Sequence, residues 1–161
     1  INRSFEDLYL DMPDNEFLKK SQFYRSGFHR GAEVFVVYAR SYAIPTQISM
    51  KTIENVEKVF CYFYKGTLFQ FSVYYSCGYK FSPSWENFIY NTKQKYGPGK
   101  ESSINHEIEW NDGKTTLTIK EEFESSSVVI GATEHYYIVT YSDNALSREI
   151  IKKEQQSAPE F

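Results

Sequence analysis

Runs of hydrophobic positions divide the chain into several strand-like segments and a few helical ones. The strongest signal runs from Val56 to Ser76, where two apolar stretches flank Lys65-Gly66. Glycine at the second position of a two-residue connection is typical of a β-hairpin. We pair Tyr64 with Thr67 and expect strict alternation along both strands. One face then carries Phe60, Tyr62, Phe69, Phe71, Val73 and Tyr75, and the other carries Val59, Cys61, Phe63, Leu68, Tyr74, Gln70 and Ser72.

Both faces of this hairpin are rich in large apolar groups, so we expect it to lie centrally in a sheet. Other segments are β-branched, aromatic or alternating. They predict strands over Glu33–Arg40, His106–Trp110, Thr115–Phe123 and His135–Tyr141, with a strand start at Val128–Ile130. The turn Asn111-Asp112-Gly113 separates two of these strands as a second hairpin. Pro45 indicates an exposed connection between residues 41 and 55.

Three segments have helical patterns. Pro13 suits a first helical position, and the pattern predicts a short helix over Pro13–Ser21. Trp85, Phe88, Ile89, Thr92 and Tyr96 form one stripe of a second helix, with Ser82 as its N-cap and Gly97-Pro98 as its end. Asp143 can cap a C-terminal helix that carries Leu146, Ile150 and Ile151.

These elements predict an α+β domain with a single antiparallel sheet and helices packed on one face. Trp85, Phe88, Ile89 and Tyr96 are expected to pack on one face of an antiparallel sheet that contains the hairpin 56–76. The order of elements also indicates a loose internal α-β repeat, in which Lys65-Gly66 and Asp112-Gly113 are equivalent turns. The alternative is an α+β chain without a repeat. We expect one domain over residues 1–154 and a disordered tail over residues 155–161.

Composition changes this picture mainly through its aromatic residues. Tyr occurs 14 times and Phe 13 times, and aromatic residues make up 18% of the chain. Since Phe and Tyr favour strands, this composition supports a sheet-rich fold. The formal net charge is −3, with both signs interspersed, and this excludes the basic surface that nucleic acids require. No apolar run is long enough to span a bilayer, so we predict no transmembrane segment.

The two cysteines and three histidines are the first candidates for chemistry. In the predicted hairpin Cys61 lies opposite about Gln70, far along the strand from Cys77, so we expect two free thiols. His29, His106 and His135 have no second ligand at metal-binding spacing. They are either satisfied structural histidines, which we favour, or a metal or general-base site. We predict no cofactor and no metal.

Acidic residues provide a second candidate. In the strand that ends with Glu121, Glu122 and Glu124, the last two share a face as a catalytic pair does. A solvated strand end has the same pattern and is the expectation we favour. The chain contains no nucleophile elbow, phosphate-binding loop or zinc-protease helix motif. We therefore predict that the protein is not an enzyme.

The excess of tyrosine is the remaining functional feature. Exposed tyrosines supply rigid, amphipathic contact area and are enriched at protein interfaces. We predict that Tyr62, Tyr64, Tyr74 and Tyr136 bind a partner protein. The alternative is that tyrosine replaces leucine in an aromatic core. A second alternative is a carrier whose aromatic-lined cavity holds a small apolar ligand.

Three short segments also resemble small exported bacterial modules. They are Leu8-Tyr9-Leu10-Asp11-Met12-Pro13, Phe63-Tyr64-Lys65-Gly66-Thr67-Leu68 and Lys95-Tyr96-Gly97-Pro98. The first is similar to the helix opening of the small outer-membrane-assembly lipoproteins and of the β-lactamase-inhibitor-like fold. This chain has Asp11 where those families usually carry Gly, and it lacks a lipidation cysteine at its start.

The resemblance implies an exported, non-catalytic protein-interaction module in the periplasm or outer cell envelope of a bacterium. The chain starts at Ile1 without a Met, so we also expect that a leader or a tag has been removed. Free thiols oppose this location, because an oxidising compartment tends to pair them. Burial of Cys61 in an apolar strand face would remove the conflict.

Overall fold

The computed structural model describes residues 1–20, 27–30, 34–40, 55–126 and 129–160. The helices of this part are α1 (Asp14–Lys20), α2 (Trp85–Tyr96) and α3 (Asn144–Gln156). Its strands are β1 (Ser4–Phe5), β2 (Leu8–Tyr9), β3 (Gly27–Arg30), β4 (Val34–Arg40), β5 (Val56–Tyr64), β6 (Thr67–Cys77), β7 (Lys100–Glu101), β8 (Glu107–Asn111), β9 (Thr115–Ser125) and β10 (Thr133–Asp143).

A mixed α+β architecture with a large antiparallel sheet is confirmed, but the prediction of a single sheet is wrong. The described strands form an eight-stranded sheet in the order β3-β4-β5-β6-β10-β9-β8-β7 and a separate sheet of β1 and β2. The turn between β1 and β2 contains Glu6 with a φ of 52°. Residues other than glycine rarely adopt a positive φ, so the sequence pattern does not predict the small β1–β2 hairpin.

The β5–β6 hairpin forms as predicted, with Tyr64 opposite Thr67, but its predicted faces are wrong beyond the first pairs. A bulge changes the register, since Phe63 lies opposite Leu68 whereas Tyr62 lies opposite Gln70. The extra residue, Phe69, reverses the orientation of every later residue of β6. Cys61 therefore lies opposite Phe71 and not Gln70.

The bulge places the apolar residues of both strands on one face of the sheet. We call this the front face; it contains Val59, Cys61, Phe63, Leu68, Phe71, Val73, Ile108, Trp110, Leu117, Ile119, Tyr137 and Val139, all of them buried. The opposite, back face contains Phe60, Tyr62, Tyr64, Tyr74, Tyr136 and Ile138. The core of the domain thus lies mainly on the front.

Helices cover both faces of the large sheet, so the prediction of helices on one face is also wrong. On the front face, Phe17 of α1 packs against Phe63 with ring centroids 5.0 Å apart. On the back face, Leu146 and Ile150 of α3 pack on the cluster of Val34, Tyr64 and Phe69. The bulge explains this second cluster, because it turns Phe69 towards the back.

Helix α2 also packs on the front face, through Trp85 and Ile89. Its core partners come mostly from β8, β9 and β10, and the predicted hairpin contributes only Tyr75 and Cys77 at the edge of this cluster. The centre of the hairpin, including Phe71, belongs to a second cluster with α1 and the N-terminal segment. The predicted packing of α2 on one face of the sheet that contains the hairpin is therefore correct.

Two similar units make up the domain, in agreement with the predicted repeat. In the described residues each unit is a helix followed by four strands, α1-β3-β4-β5-β6 and α2-β7-β8-β9-β10, and their last strands pair at the centre of the sheet. The predicted equivalence of turns is wrong. Lys65-Gly66 joins the third and fourth strands of its unit, whereas Asp112-Gly113 joins the second and third.

Local signals fix most helix ends, with one correction. Helix α2 ends at Gly97, which has a φ of 87°, and Asp143 caps α3 by accepting from the backbone N–H of Leu146. The N-cap of α2 is Ser84 and not Ser82, because the Ser84 side chain accepts from the backbone N–H of Asn87 at 3.3 Å.

Residues 129–130 lie in a turn and not in a strand. The predicted connection 41–55 lies outside the described residues except for Asn55.

Candidate ligand-binding cleft

A cleft of about 510 Å³ opens on the front face beside α2. It exists because two blocks cover this face and leave a gap between them. One block consists of α1 and residues 5–12, which pack over β5 and β6. The other block is α2, which packs over β8, β9 and β10. Tyr75 and Tyr141 lie at the margin of both clusters and line the cleft.

The floor and walls of the cleft are apolar and aromatic. Leu117, Ile119 and Val139 form the floor, because alternation in β9 and β10 turns every second residue to the front. Phe88 of α2 contacts Tyr75 with ring centroids 5.4 Å apart in a T-shaped arrangement. Phe81 packs against Phe88 at 6.4 Å and extends this wall. The cleft therefore has an aliphatic floor and aromatic walls.

Polar groups surround the opening of the cleft. Asn87, Asn91 and Lys95 follow one another at intervals of four residues, so they lie along one edge of α2. Asn2 and Asn55 complete the polar rim. Amides donate and accept hydrogen bonds, and lysine only donates. The rim can thus hold the polar part of a molecule whose apolar part lies on the floor.

Tyrosine hydroxyls add further polar groups at the cleft. Burial, followed by the neighbouring Tyr75 and Tyr96, raises the pKa of Tyr141 to about 12. Burial also raises the pKa of Tyr75, with a smaller contribution from Glu6. The hydroxyl of Tyr96 accepts from the backbone N–H of Asn2 at 3.0 Å. At neutral pH the Tyr75 and Tyr141 hydroxyls are protonated and available as donors.

The four tyrosines predicted to bind a partner lie on the back face, away from the cleft. Tyr64 is 2% exposed under α3 and Tyr136 is 0% exposed, whereas Tyr62 and Tyr74 are half-buried. Tyr74 and Tyr136 meet edge to face with centroids 5.5 Å apart. Burial raises the pKa of both hydroxyls, with a further contribution from Tyr62 at Tyr74 and from Glu134 at Tyr136. Two of the four rings therefore belong to the packed interior.

Lys58 lies among these aromatic rings. Its ammonium nitrogen is 4.7 Å from the ring centroid of Tyr74 and 5.0 Å from that of Tyr136. It also pairs with Glu124 at 3.4 Å. This ion pair and the pair between Lys120 and Glu122 account for the two carboxylates that the sequence places on one strand face. Both carboxylates lie on the back face and do not line the cleft.

Two of the predicted histidines meet at one carboxylate. His106 Nδ1 lies 2.9 Å and His135 Nε2 lies 2.8 Å from the two carboxylate oxygens of Glu121. Each imidazole also stacks on an aromatic ring, His106 on Trp85 and His135 on Phe123. Burial opposes ionisation of Glu121, but the hydrogen bonds from both histidines outweigh it and lower the pKa of Glu121. This arrangement joins β9, β10 and the connection before β8.

The sequence pattern does not reveal this triad. His106 and His135 have Glu107 and Glu134 as chain neighbours, yet alternation turns those carboxylates to the other face. Glu121 is shared because β9 lies between β8 and β10. Only the strand order β8-β9-β10 could have indicated that both histidines contact Glu121.

The cysteines are free thiols, as predicted. Cys61 is 1% exposed, and burial raises the pKa of its thiol. Burial and the Glu121 carboxylate also raise the pKa of Cys77. Within the described residues, no group of three or more His, Cys, Asp or Glu side chains is placed to hold a metal ion. His29 lies in β3, and its side chain is outside the described part.

Across the residues that the structure describes, the fold and the cleft define a class of protein: an α+β domain of two helix-and-four-strand units that share one antiparallel sheet. Residues 3–153 match the family model of the TP0088 domain, so the chain belongs to this family. No curated protein and no solved structure matches the chain. No helix among the described residues is long and apolar enough to cross a membrane.

Proposed function

We propose that the protein is a non-catalytic binding module that holds a small amphipathic molecule in the cleft between α2 and the sheet. The cleft itself is the observation that supports this proposal. Its volume of about 510 Å³ lies in the range of small-molecule sites. Such sites combine an apolar lining with a few convergent polar groups, as this cleft does.

The lining favours a particular ligand chemistry. The floor of Leu117, Ile119 and Val139 and the rings of Tyr75 and Phe88 favour an apolar or aromatic body. The rim supplies amides and tyrosine hydroxyls, which donate and accept hydrogen bonds, and Lys95, which only donates and so adds an excess of donors. A head group that accepts hydrogen bonds, such as a carbonyl, an ether or a carboxylate, satisfies these donors. The ligand class is therefore an apolar body with an accepting head.

Filling the cleft tests the proposal. Thr92 lines the cleft from α2, and Thr92→Trp inserts an indole ring into it. We expect this variant to bind the fluorescent probe N-phenyl-1-naphthylamine at least about tenfold more weakly than the wild type, which equals ~1.4 kcal/mol of binding free energy. The measurement is a fluorescence titration of the folded protein.

The matched control is Gln94→Trp, which adds the same ring to an exposed position of α2 outside the cleft. It should bind the probe as the wild type does. Equal weakening in both variants, or no saturable binding to the wild type, would contradict the proposal. Native mass spectrometry of freshly purified protein gives a second test, because a co-purified small molecule adds a discrete mass.

Binding of a partner protein through the back face is our second proposal. It is supported by Tyr62 and Tyr74, which keep part of their rings exposed beside Phe60 and Lys58. Tyr62→Ala together with Tyr74→Ala should abolish a protein adduct in native mass spectrometry while N-phenyl-1-naphthylamine still binds. An adduct that persists in this double variant would contradict the proposal.

We also infer that the protein is exported to the periplasm or outer envelope of a bacterium, on the strength of the resemblance to exported modules. The free thiol of Cys61 is compatible with an oxidising compartment, because its burial makes it inert. Cell fractionation tests this inference. Recovery in the periplasmic or envelope fraction is expected, and recovery in the cytosol alone would contradict it.

A further inference from the structure

Large exposed hydrophobic side chains concentrate at one end of the sheet. Among the described residues seven such side chains are exposed, and five of them form this group: Tyr79, Ile104, Phe123, Val129 and Ile130. We call these five residues the apolar end. Tyr79 and Ile130 are each 103% exposed and Ile104 is 92% exposed. Solvent thus surrounds these side chains almost completely.

The strand register brings the five residues together. Phe123 lies opposite His135, which lies opposite Cys77, so one row crosses three strands near their ends. Tyr79 follows Cys77 by two residues, and Val129 and Ile130 lie in the turn between β9 and β10. Ile104 belongs to the connection that His106 ties to Glu121. Four neighbouring strands spaced by ~4.8 Å place these tips within roughly 15 Å of one another across the sheet.

The connections that carry the residues of the apolar end contain few charged residues. From Ser125 to Thr133 the chain contains no acidic or basic residue, and from Ser102 to Asn105 it contains none. Lys80 follows Tyr79, and the carboxylates on the strands behind the five residues have partners. Glu122 and Glu124 are half-buried and paired with lysines, and Glu134 accepts from the Tyr136 hydroxyl at 2.6 Å. Moving the tips out of water therefore desolvates apolar groups and few charges.

We propose that the apolar end inserts into the interfacial region of a zwitterionic lipid bilayer. Separate, exposed side chains at the end of one strand and on three different connections fit a fluid lipid phase, which adapts to each of them. A protein partner would need a matching set of pockets. The formal net charge of the chain is −3, which disfavours anionic lipid, so the surface matches a zwitterionic one. This surface is distinct from the cleft and does not depend on a ligand there.

Vesicle flotation tests the proposal. We expect the wild-type chain to float with phosphatidylcholine vesicles and to float less well when a third of the lipid is phosphatidylglycerol. Val129→Asp combined with Ile130→Asp should lower the bound fraction at least about tenfold, because charges at the tips oppose insertion. The matched control is Tyr90→Asp combined with Ile151→Asp. These are the two exposed hydrophobic residues of the described chain outside the apolar end, and their replacement should leave flotation unchanged.

Any of three flotation results would overturn the proposal. They are no flotation of the wild type with phosphatidylcholine, an equal loss in both double variants, and stronger flotation with added phosphatidylglycerol. The first is also the result expected if a protein covers the apolar end. Thermal unfolding of each variant shows whether it is folded, and all four substituted positions are exposed.

An environment-sensitive fluorophore gives a readout that does not depend on introducing charge. Cys77→Ser removes the more accessible thiol, and Cys61 is too buried to react. In this background Ile130→Cys carries the label at the apolar end and Tyr90→Cys carries it elsewhere. A blue shift with phosphatidylcholine vesicles is expected only at residue 130. A shift only at residue 90, or at neither residue, would overturn the proposal.

Discussion

Phe71 shows how one residue supports the front face. It is 0% exposed, and its ring stacks on Tyr141 with centroids 4.7 Å apart. Phe71→Ala removes this ring and leaves a cavity, so we expect a loss of about 3 to 5 kcal/mol in the free energy of unfolding. Urea denaturation measures this loss. Phe123→Ala, at a residue that is 62% exposed, is the control and should cost less than ~1 kcal/mol.

Asp143 links acid stability to a single carboxylate. It accepts from the Leu146 backbone and from Arg3 Nη2, the latter at 2.6 Å. Burial opposes ionisation, but these donors outweigh it and lower the pKa of Asp143 below its ordinary value of 3.8. The contribution of ionised Asp143 to the free energy of unfolding is therefore complete at pH values above its ordinary pKa of 3.8. It is lost as pH falls through the lowered pKa, because the unfolded state takes up the proton first.

The corresponding test compares the wild type with Asp143→Asn across pH. We expect the wild type to be more stable at neutral pH by about 1 to 3 kcal/mol, since the variant loses a charged cap and an ion pair. The difference should shrink below the ordinary carboxyl pKa of 3.8. A difference that stays constant down to pH 2, measured by urea denaturation, would rule out this role for Asp143.

At the level of secondary-structure elements, the N-cap of α2 can be tested by replacing each of two serines. Ser84 caps the helix, and Ser82 precedes it by two residues. Ser84→Ala should cost about 1 kcal/mol because the backbone N–H of Asn87 loses its acceptor. Ser82→Ala should change the stability by less than ~0.5 kcal/mol. Thermal or urea unfolding of the two variants distinguishes them, and a larger effect at Ser82 would contradict the observed cap.

The sequence predicted the elements better than their faces. Gly66, Gly97 and Asp143 are strong local signals, and the turn and both helix ends lie where they indicate. The bulge at Phe69 has no such signal, because it depends on which residues fill the back cluster. A single extra residue reverses the orientation of Phe71, Val73 and Tyr75. This reversal is why the predicted faces of the hairpin were wrong.

The candidate site was less predictable for a similar reason. The aromatic residues that line a cavity were anticipated as a class, but the particular ones were not. Tyr75 and Tyr141 line the cleft because β6 and β10 pair at the centre of the sheet, between the two helical blocks. That pairing joins distant parts of the chain. Tyr64 and Tyr136 were predicted as interface residues and are instead buried.

At the scale of the whole molecule, the two-unit architecture explains where the cleft lies. Each unit covers its own strands of the front face, and the gap between the coverings lies over β9 and β10, with Tyr75 of β6 at its wall. The floor of the gap is apolar because Leu117, Ile119 and Val139 are the front-face residues at this point of β9 and β10. The central claim is that this gap binds an amphipathic ligand.

The most direct test is a two-dimensional ¹H–¹⁵N NMR titration with N-phenyl-1-naphthylamine. We expect saturable shifts of the backbone amides of Tyr75, Phe88, Asn91, Thr92 and Val139, together with the side-chain amides of Asn87 and Asn91. Resonances of α3 and of the turn at residues 129–132 should stay in place. Saturable shifts confined to those distant elements, or no shifts at the cleft, would contradict the account.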